Sequence, residues 1–563
     1  MSAWLLVALN GCRRSQPESK ADPEPPTPIA RVPAAPVKPA ARVLIAYSSE
    51  KKVWLEEQIT LFNQTLPKLD SGLTFAIEGK AMGSGEAMQD ILDARLQPAA
   101  FSPASDAYLT LLNDAWISQP GHTLPLAAHG ESIVISPLVI AIWKPMAEAL
   151  GWPKKALGWS DILKLSQNPK GWESLQRAEW GRFKLGHTHP EYSNSGLLSF
   201  LAEAYAGAEK TRGLSLEDLA APKTRNFLTG IERSIVHYGK STGFFSEKML
   251  ARGPSYLSAA VLYENSVVES YAQATGDRPP LVAIYPREGT FWSDHPYAVL
   301  DAPWVSTDQK QAAQAFLSRI KERPAQERAL ALGLRPADTS LGISTPIDAE
   351  HGCDPKQPQT LLSVPPASVL KELLRVFREV KKPSDITLVF DKSGSMSGQP
   401  LSEAKAGARA FLDSLQARDQ VAIEFFDSEL YPLVGPVNIG EAKADLAQRV
   451  DGVSAGGGTA LYDAVSAAYR EMLARADKDP NRIHALVVMT DGNDESSQLA
   501  LEQLKAEFPR EQQEAKVKVF TIAYGTAASS RILSQISDAG EGSHSQGTVQ
   551  NIVQVYRDIA SFF

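Results

Sequence analysis

Cysteine is nearly absent. Cys12 and Cys353 are the two in 563 residues, which excludes both a disulfide scaffold and a thiolate zinc cluster. The apolar run that opens the chain, Trp4 to Leu9, is much too short to span a bilayer. Positive charge is not in excess: 57 Lys and Arg face 65 Asp and Glu, for a net charge of −8, so nucleic-acid binding has no electrostatic footprint. Nucleotide motifs are missing as well. Gly79-Lys80-Ala81 lacks the upstream glycine and the following Ser or Thr of a phosphate-binding loop. What is present, 43% apolar and 22% charged residues, describes a soluble globular chain too long for one core, so two or more domains are expected.

The opening run ends in Leu9-Asn10-Gly11-Cys12, which resembles the lipobox of bacterial lipoproteins. The resemblance implies cleavage and acylation at Cys12, and hence export and a membrane anchor. Asn10 stands where that family has a small residue, and no Lys or Arg precedes the run; an ordinary signal peptide or an untethered apolar tail is the other reading. Residues 1–12 are read as the leader and 13–41 as a linker. Eight prolines among Ala, Glu, Ser and Val, with no hydrophobic period, favour an extended stalk.

From Val43 strands alternate with helical patterns: Val43–Tyr47 before a helix over Trp54–Phe62, Leu73–Ile77 before a helix over Glu86–Leu96, then Ala99–Phe101. Such alternation predicts a mostly parallel α/β sheet that binds ligands beyond the carboxyl ends of its strands. Over residues 42–349 the pattern resembles the type 2 periplasmic solute-binding proteins, whose two lobes are crossed twice by the chain; Ile133–Ile142 and Leu281–Tyr285 are candidate crossings.

Members of that family that bind oxyanions use serine hydroxyls and helix N-termini. Matching positions are Ser48 and Ser49 after the first strand, Ser84 after the second, Ser105 after the third, and Asn194 and Ser195 at a helix entrance. Helix capping by the same residue types is the competing explanation. Glu264, in the apolar part of a helix expected over Ser255–Ala272, requires a partner, a shifted pKa or a cleft; facing the cleft, it would select a hydroxylated, amine-bearing or peptide-like solute. His187-Thr188-His189 has no third ligand at a recognisable spacing and is read as loop hydrogen bonding. Trp143, Trp159, Trp172 and Trp180 are read as core.

A connector, 350–383, containing a helix over Ser368–Val380, leads to the last domain, 384–563. Asp385–Phe390 is an apolar run of the length of a strand buried on both faces. It ends in Asp391-Lys392-Ser393-Gly394-Ser395, where one tight turn can aim three alternating oxygens at a point. A second such strand, Ile483–Thr490, ends in Asp491, and Gly456-Gly457-Gly458-Thr459 opens the helix between them. A calcium-loop reading of Asp491 fails because Ser496 occupies the position where that loop needs glycine.

The five positions Asp391, Ser393, Ser395, Thr459 and Asp491 resemble the complete metal-ion-dependent adhesion site of von Willebrand factor type A domains. The resemblance implies a doubly wound, Rossmann-like fold. It also implies direct metal contacts from Ser393 and Ser395, variable contact from Thr459, and an open coordination position that captures an acidic side chain of a protein partner. An all-oxygen set selects Mg2+, or Mn2+ or Ca2+, over zinc or copper.

These readings predict a non-enzymatic, exported, membrane-anchored binding protein. It adheres through a divalent cation and carries a domain for a small solute or partner. The alternatives are a transporter- or sensor-coupled solute receptor, or an accessory subunit of a metal or ATPase assembly; export argues against the latter, whose complexes are cytoplasmic.

Overall fold

The computed structural model describes residues 41–276, 278–509, 515–525, 530–548 and 551–563; Cys12 and nearly all of the stalk lie outside them. The first strand, Ala41–Ser48, is flanked in parallel by Phe75–Met82 and Ala100–Ser102, and Pro296–Val299 and Glu131–Ser132 complete a five-stranded sheet. The second strand starts at Phe75 rather than Leu73 and runs on through Gly79-Lys80. This sheet and its helices form lobe one. Lobe two is built on Val134–Trp143, a ten-residue strand that pairs with Arg335–Pro336, Ala259–Tyr263, Leu281–Ile284 and Trp292–Ser293, all antiparallel.

One element departs from the sequence reading. The helix expected over Ser255–Ala272 is instead a strand, Ala259–Tyr263, followed by a helix from Glu264 to Ala272. Ala-Ala-Val-Leu-Tyr is buried throughout, and a short, fully buried apolar run carries no periodicity to separate strand from helix. Trp143, Trp159 and Trp172 are buried, while Trp180 is half-buried and packs edge-on against Trp172 at 5.2 Å.

The C-terminal domain has a six-stranded sheet in the order Val434–Asn438, Gln420–Phe426, Ser384–Asp391, Ile483–Thr490, Val517–Tyr524, Glu541–Gly547. All pairs are parallel except the first. Three central strands, Ser384–Asp391, Ile483–Thr490 and Val517–Tyr524, are buried at every position, as expected of parallel strands covered by helices on both faces.

The two domains share one continuous core. The helix Ala367–Val380 seats Phe377, fully buried, against the rings of His189, Phe200 and Tyr238 at 4.9–5.3 Å. Phe562 packs on Phe244 and Phe520, and the Tyr238 N–H donates to its carbonyl at 3.1 Å. Lys240 pairs with Asp558 at 3.0 Å, and the Arg252 guanidinium donates to the Gly542 carbonyl at 3.3 Å. Lys381, which precedes the strand Ser384–Asp391, donates to the carbonyl of Phe563. Lys381 and Gly542 both lie where strands of the C-terminal sheet begin, so the first domain docks at the amino end of that sheet.

Candidate metal centre and cleft

Asp391 and Asp491 stand at the carboxyl ends of adjacent parallel strands, the edge at which crevices form in doubly wound sheets. The Asp391 carboxylate is pinned from below: one oxygen accepts the Ser393 N–H at 2.7 Å and the other the Thr490 hydroxyl. The turn after it brings Ser393 Oγ to 3.0 Å from Ser395 Oγ, and Ser395 Oγ donates to Asp491 at 2.7 Å. Thr459 flanks the same point, since a methyl at Gly492 would stand 3.2 Å from Thr459 Oγ1 and 3.7 Å from Ser395 Oγ. The structure thus gathers all five oxygen-bearing side chains picked out in the sequence.

Two loops hold them there. The N–H of Gly394 donates to the Gly457 carbonyl and that of Gly456 to the Lys392 carbonyl, both at 2.9 Å. Gly457 has φ of +78° with Asp427 close by, a conformation that side-chain-bearing residues rarely adopt. Lys392 pairs with Asp427, which also accepts from Tyr431 at 2.9 Å. Neither Thr490 nor Asp427 was picked out in the sequence, because their roles depend on contacts across strands.

The electrostatics fit a cation. Burial, with a smaller push from neighbouring Asp491, raises the Asp391 carboxyl to about 6 against the hydrogen bonds that lower it. Asp491 is also raised, again by burial. Two converging, largely buried carboxylates repel each other, and a divalent ion would relieve that repulsion. Asp391, Ser393, Thr459 and Asp491 are buried while Ser395 is exposed, so the cluster opens to solvent on one side. The donor set, two carboxylates and three hydroxyls, suits a hard cation such as Mg2+.

The candidate solute cleft is closed by the protein itself. The N–H groups of Gly85 and Glu86, at the start of the helix Ser84–Leu92, both donate to the Tyr192 carbonyl of lobe two at 3.0 Å. A lobe-two backbone oxygen therefore sits where an anion would bind. Ser105 donates to Asn194 at 2.6 Å, Tyr108 to the Pro190 carbonyl at 2.8 Å, and the Gly243 N–H to Ser49 at 3.1 Å, all three between lobes. Ser48 donates to Glu50, Ser84 accepts the Ala104 N–H at 3.1 Å, and Ser195 bonds Thr188 and Thr242 at 2.7 and 2.8 Å. None of these side chains caps its own helix. They serve instead as interlobe and intralobe fasteners. Behind them Lys51, not singled out in the sequence, is fully buried and donates to the carbonyls of Ser102 and Pro103 at 3.0 and 3.1 Å.

Glu264 is likewise committed. Arg335 binds its carboxylate through two bonds of 2.7 Å and Tyr285 donates a third. Its partner comes from 71 residues downstream, a separation at which sequence offers no signal. The expectation that Glu264 faces a ligand gives way to a buried ion pair, with Arg335 also 5.0 Å over the Trp292 ring.

The family described as von Willebrand factor type A domain matches residues 385–556, and bacterial extracellular solute-binding protein matches residues 132–349. An uncharacterized protein of Mycobacterium tuberculosis is 25% identical over 398 residues, covering 67% of this chain and 55% of its own length. One from Synechocystis sp. is 27% identical over 165 residues, covering 29% and 37%. Among solved structures, the fructose-6-phosphate-bound periplasmic binding protein AfuA from Actinobacillus pleuropneumoniae aligns over 61% of this chain and 99% of its own. Its identity is 15% and the TM-score 0.42. The chain spans about a third to a half of the curated relatives it matches. It carries a solute-binding-protein-like domain followed by a C-terminal von Willebrand factor type A domain, and both kinds of domain support a binding or adhesion role.

Proposed function

We propose that this protein is an exported, surface-tethered binder whose type A domain grips an acidic side chain of a protein partner through a divalent cation. The observation that carries the reading is the convergence of Asp391, Ser393, Ser395, Thr459 and Asp491 at the solvent-facing carboxyl edge of the sheet. These residues would hold Mg2+, which supplies a Lewis-acidic position for a partner's carboxylate oxygen; two carboxylates neutralise the ion without overcharging the site. The first domain docks at the opposite edge. Eight-residue strands at ~3.3 Å per residue set the docking edge and the site roughly 25 Å apart, leaving the site clear for a partner.

In this reading the solute-binding-like domain is a rigid base that holds the type A domain out from the membrane to which Cys12 would anchor the chain. Small-solute capture, the reading favoured by the match over residues 132–349, would require the Tyr192, Asn194 and Gly243 contacts between lobes to break first.

Calorimetric titration of the intact protein with Mg2+ and Mn2+ tests the site. Saturable binding is expected in the parent and should be lost in Asp391→Ala. Capture of partners from the cell surface should fall in EDTA and in the same variant. Metal binding that is absent from the parent, or unchanged by Asp391→Ala, defeats the assignment.

A further inference from the structure

Lobe two encloses a second set of ligand-type side chains, remote in sequence from the first. His187 lies in the loop after the strand Leu185–Gly186, Glu203 in the helix Asn194–Ala208, and Glu232 ends the helix Pro222–Glu232. All three are fully buried, and one ligand atom of each lies within 4.8 Å of the other two.

Their hydrogen bonds orient them inward. His187 Nδ1 is 2.8 Å from the Thr188 carbonyl, which can only accept, so Nδ1 carries the hydrogen and Nε2 is left with its lone pair. Nε2 faces Glu232 Oε1 at 3.1 Å, acceptor against acceptor unless a cation or a second proton lies between. The other Glu232 oxygen accepts the Tyr238 hydroxyl. Glu203 Oε1 accepts from Ser199 at 2.9 Å, while Oε2, buried in the same cluster, has no hydrogen-bond partner among the described residues. Each of the three therefore has a fixed outer contact and one ligand atom turned toward the other two, that of Glu203 without a hydrogen-bond partner among the described residues, the pattern of metal-ligating His and carboxylate side chains held by outer-shell partners.

We propose that His187, Glu203 and Glu232 form a buried structural site for a divalent cation of the zinc class. One imidazole and two carboxylates favour zinc over magnesium, which takes oxygen ligands. A divalent ion would neutralise the two buried carboxylates, and three ligands at ~2.0–2.1 Å require the ligand atoms, which lie within 4.8 Å of one another, to draw closer, with the fourth tetrahedral position left to a water. The site borders the domain junction: Tyr238, bonded to Glu232, also donates its N–H to Phe562, and the His187 ring lies 6.5 Å from that of Phe377. A metal here would brace the seam between the two domains.

Protons are the competing occupant. Burial lifts the Glu203 carboxyl to about 8; burial would lower His187, but Glu232 overrides it and carries the imidazole up to about 9.

The test uses the full chain carrying Asp391→Ala, which removes the hard-cation site. Protein produced in zinc-supplemented medium is washed with EDTA and assayed by plasma mass spectrometry, then unfolded in chelator and refolded with and without Zn2+. About one zinc per chain should survive the wash, and zinc during refolding should raise the melting temperature, because metal binding couples to folding. Adding the near-isosteric Glu203→Gln should abolish zinc retention and the melting shift. A folded parent that carries no zinc, and whose melting temperature ignores zinc, means that protons alone fill the cluster and overturns the proposal. That result would leave Mg2+ binding at Asp391 untouched, so the two readings fail separately.

Discussion

Glu424 offers a sharp test of the C-terminal core. It lies in the strand Gln420–Phe426, on the same face as Phe426, beneath the helix Leu461–Lys478 that carries Glu471. Its side chain is buried, and Oε1 has no hydrogen-bond partner among the described residues. Burial, with a smaller contribution from Glu471, raises its carboxyl from 4.5 to about 7.

A folded-state pKa above the unfolded one means that the native protein holds the extra proton between those values, so stability falls as pH rises from about 4.5 through about 7. The rise, at about 1.4 kcal/mol per pH unit, sets a limit of about 3 kcal/mol lost by pH 8. Glu424→Gln mimics the protonated form and should match the parent near pH 4.5. At pH 8 it should exceed the parent by about 2–3 kcal/mol. All ten tryptophans lie at or before residue 304, so indole fluorescence does not report on this domain. Urea unfolding followed by far-ultraviolet circular dichroism at several pH values does. Parallel curves for parent and variant across that range would refute the argument, showing that Glu424 reaches water or a partner in solution.

Two further outcomes follow from the packing. A methyl at Gly83 would collide with the carbonyls of Tyr192 and Lys240, so Gly83→Ala should cost about 1–3 kcal/mol and part the lobes, seen as a larger radius of gyration by X-ray scattering. Phe377→Ala removes a ring from the domain seam and should cost about 3–5 kcal/mol; indole fluorescence and circular dichroism should trace one transition in the parent and separate in the variant.

The cluster of five oxygen-bearing side chains was legible in sequence because each piece is local. Asp391-x-Ser393-x-Ser395 is a single turn, Asp491 ends an apolar strand, and Thr459 opens a helix, so strand order alone could bring them to one edge. The cleft residues were legible only by position. Ser105 and Asn194 lie 89 residues apart, and nothing local says whether their side chains meet a solute, cap a helix or bond one another.

Sequence by itself determined what is written in periods and short turns: alternating α/β elements, continuous apolar strands and the five oxygen-bearing side chains at their ends. Tertiary structure alone decided where side chains remote in sequence spend their hydrogen bonds. It closed the two lobes on Tyr192, gave Glu264 to Arg335, and brought His187, Glu203 and Glu232 together. The physical reason is that a buried polar group must be satisfied by whatever group the fold brings within about 3 Å, and that neighbour is fixed by topology, not by spacing along the chain.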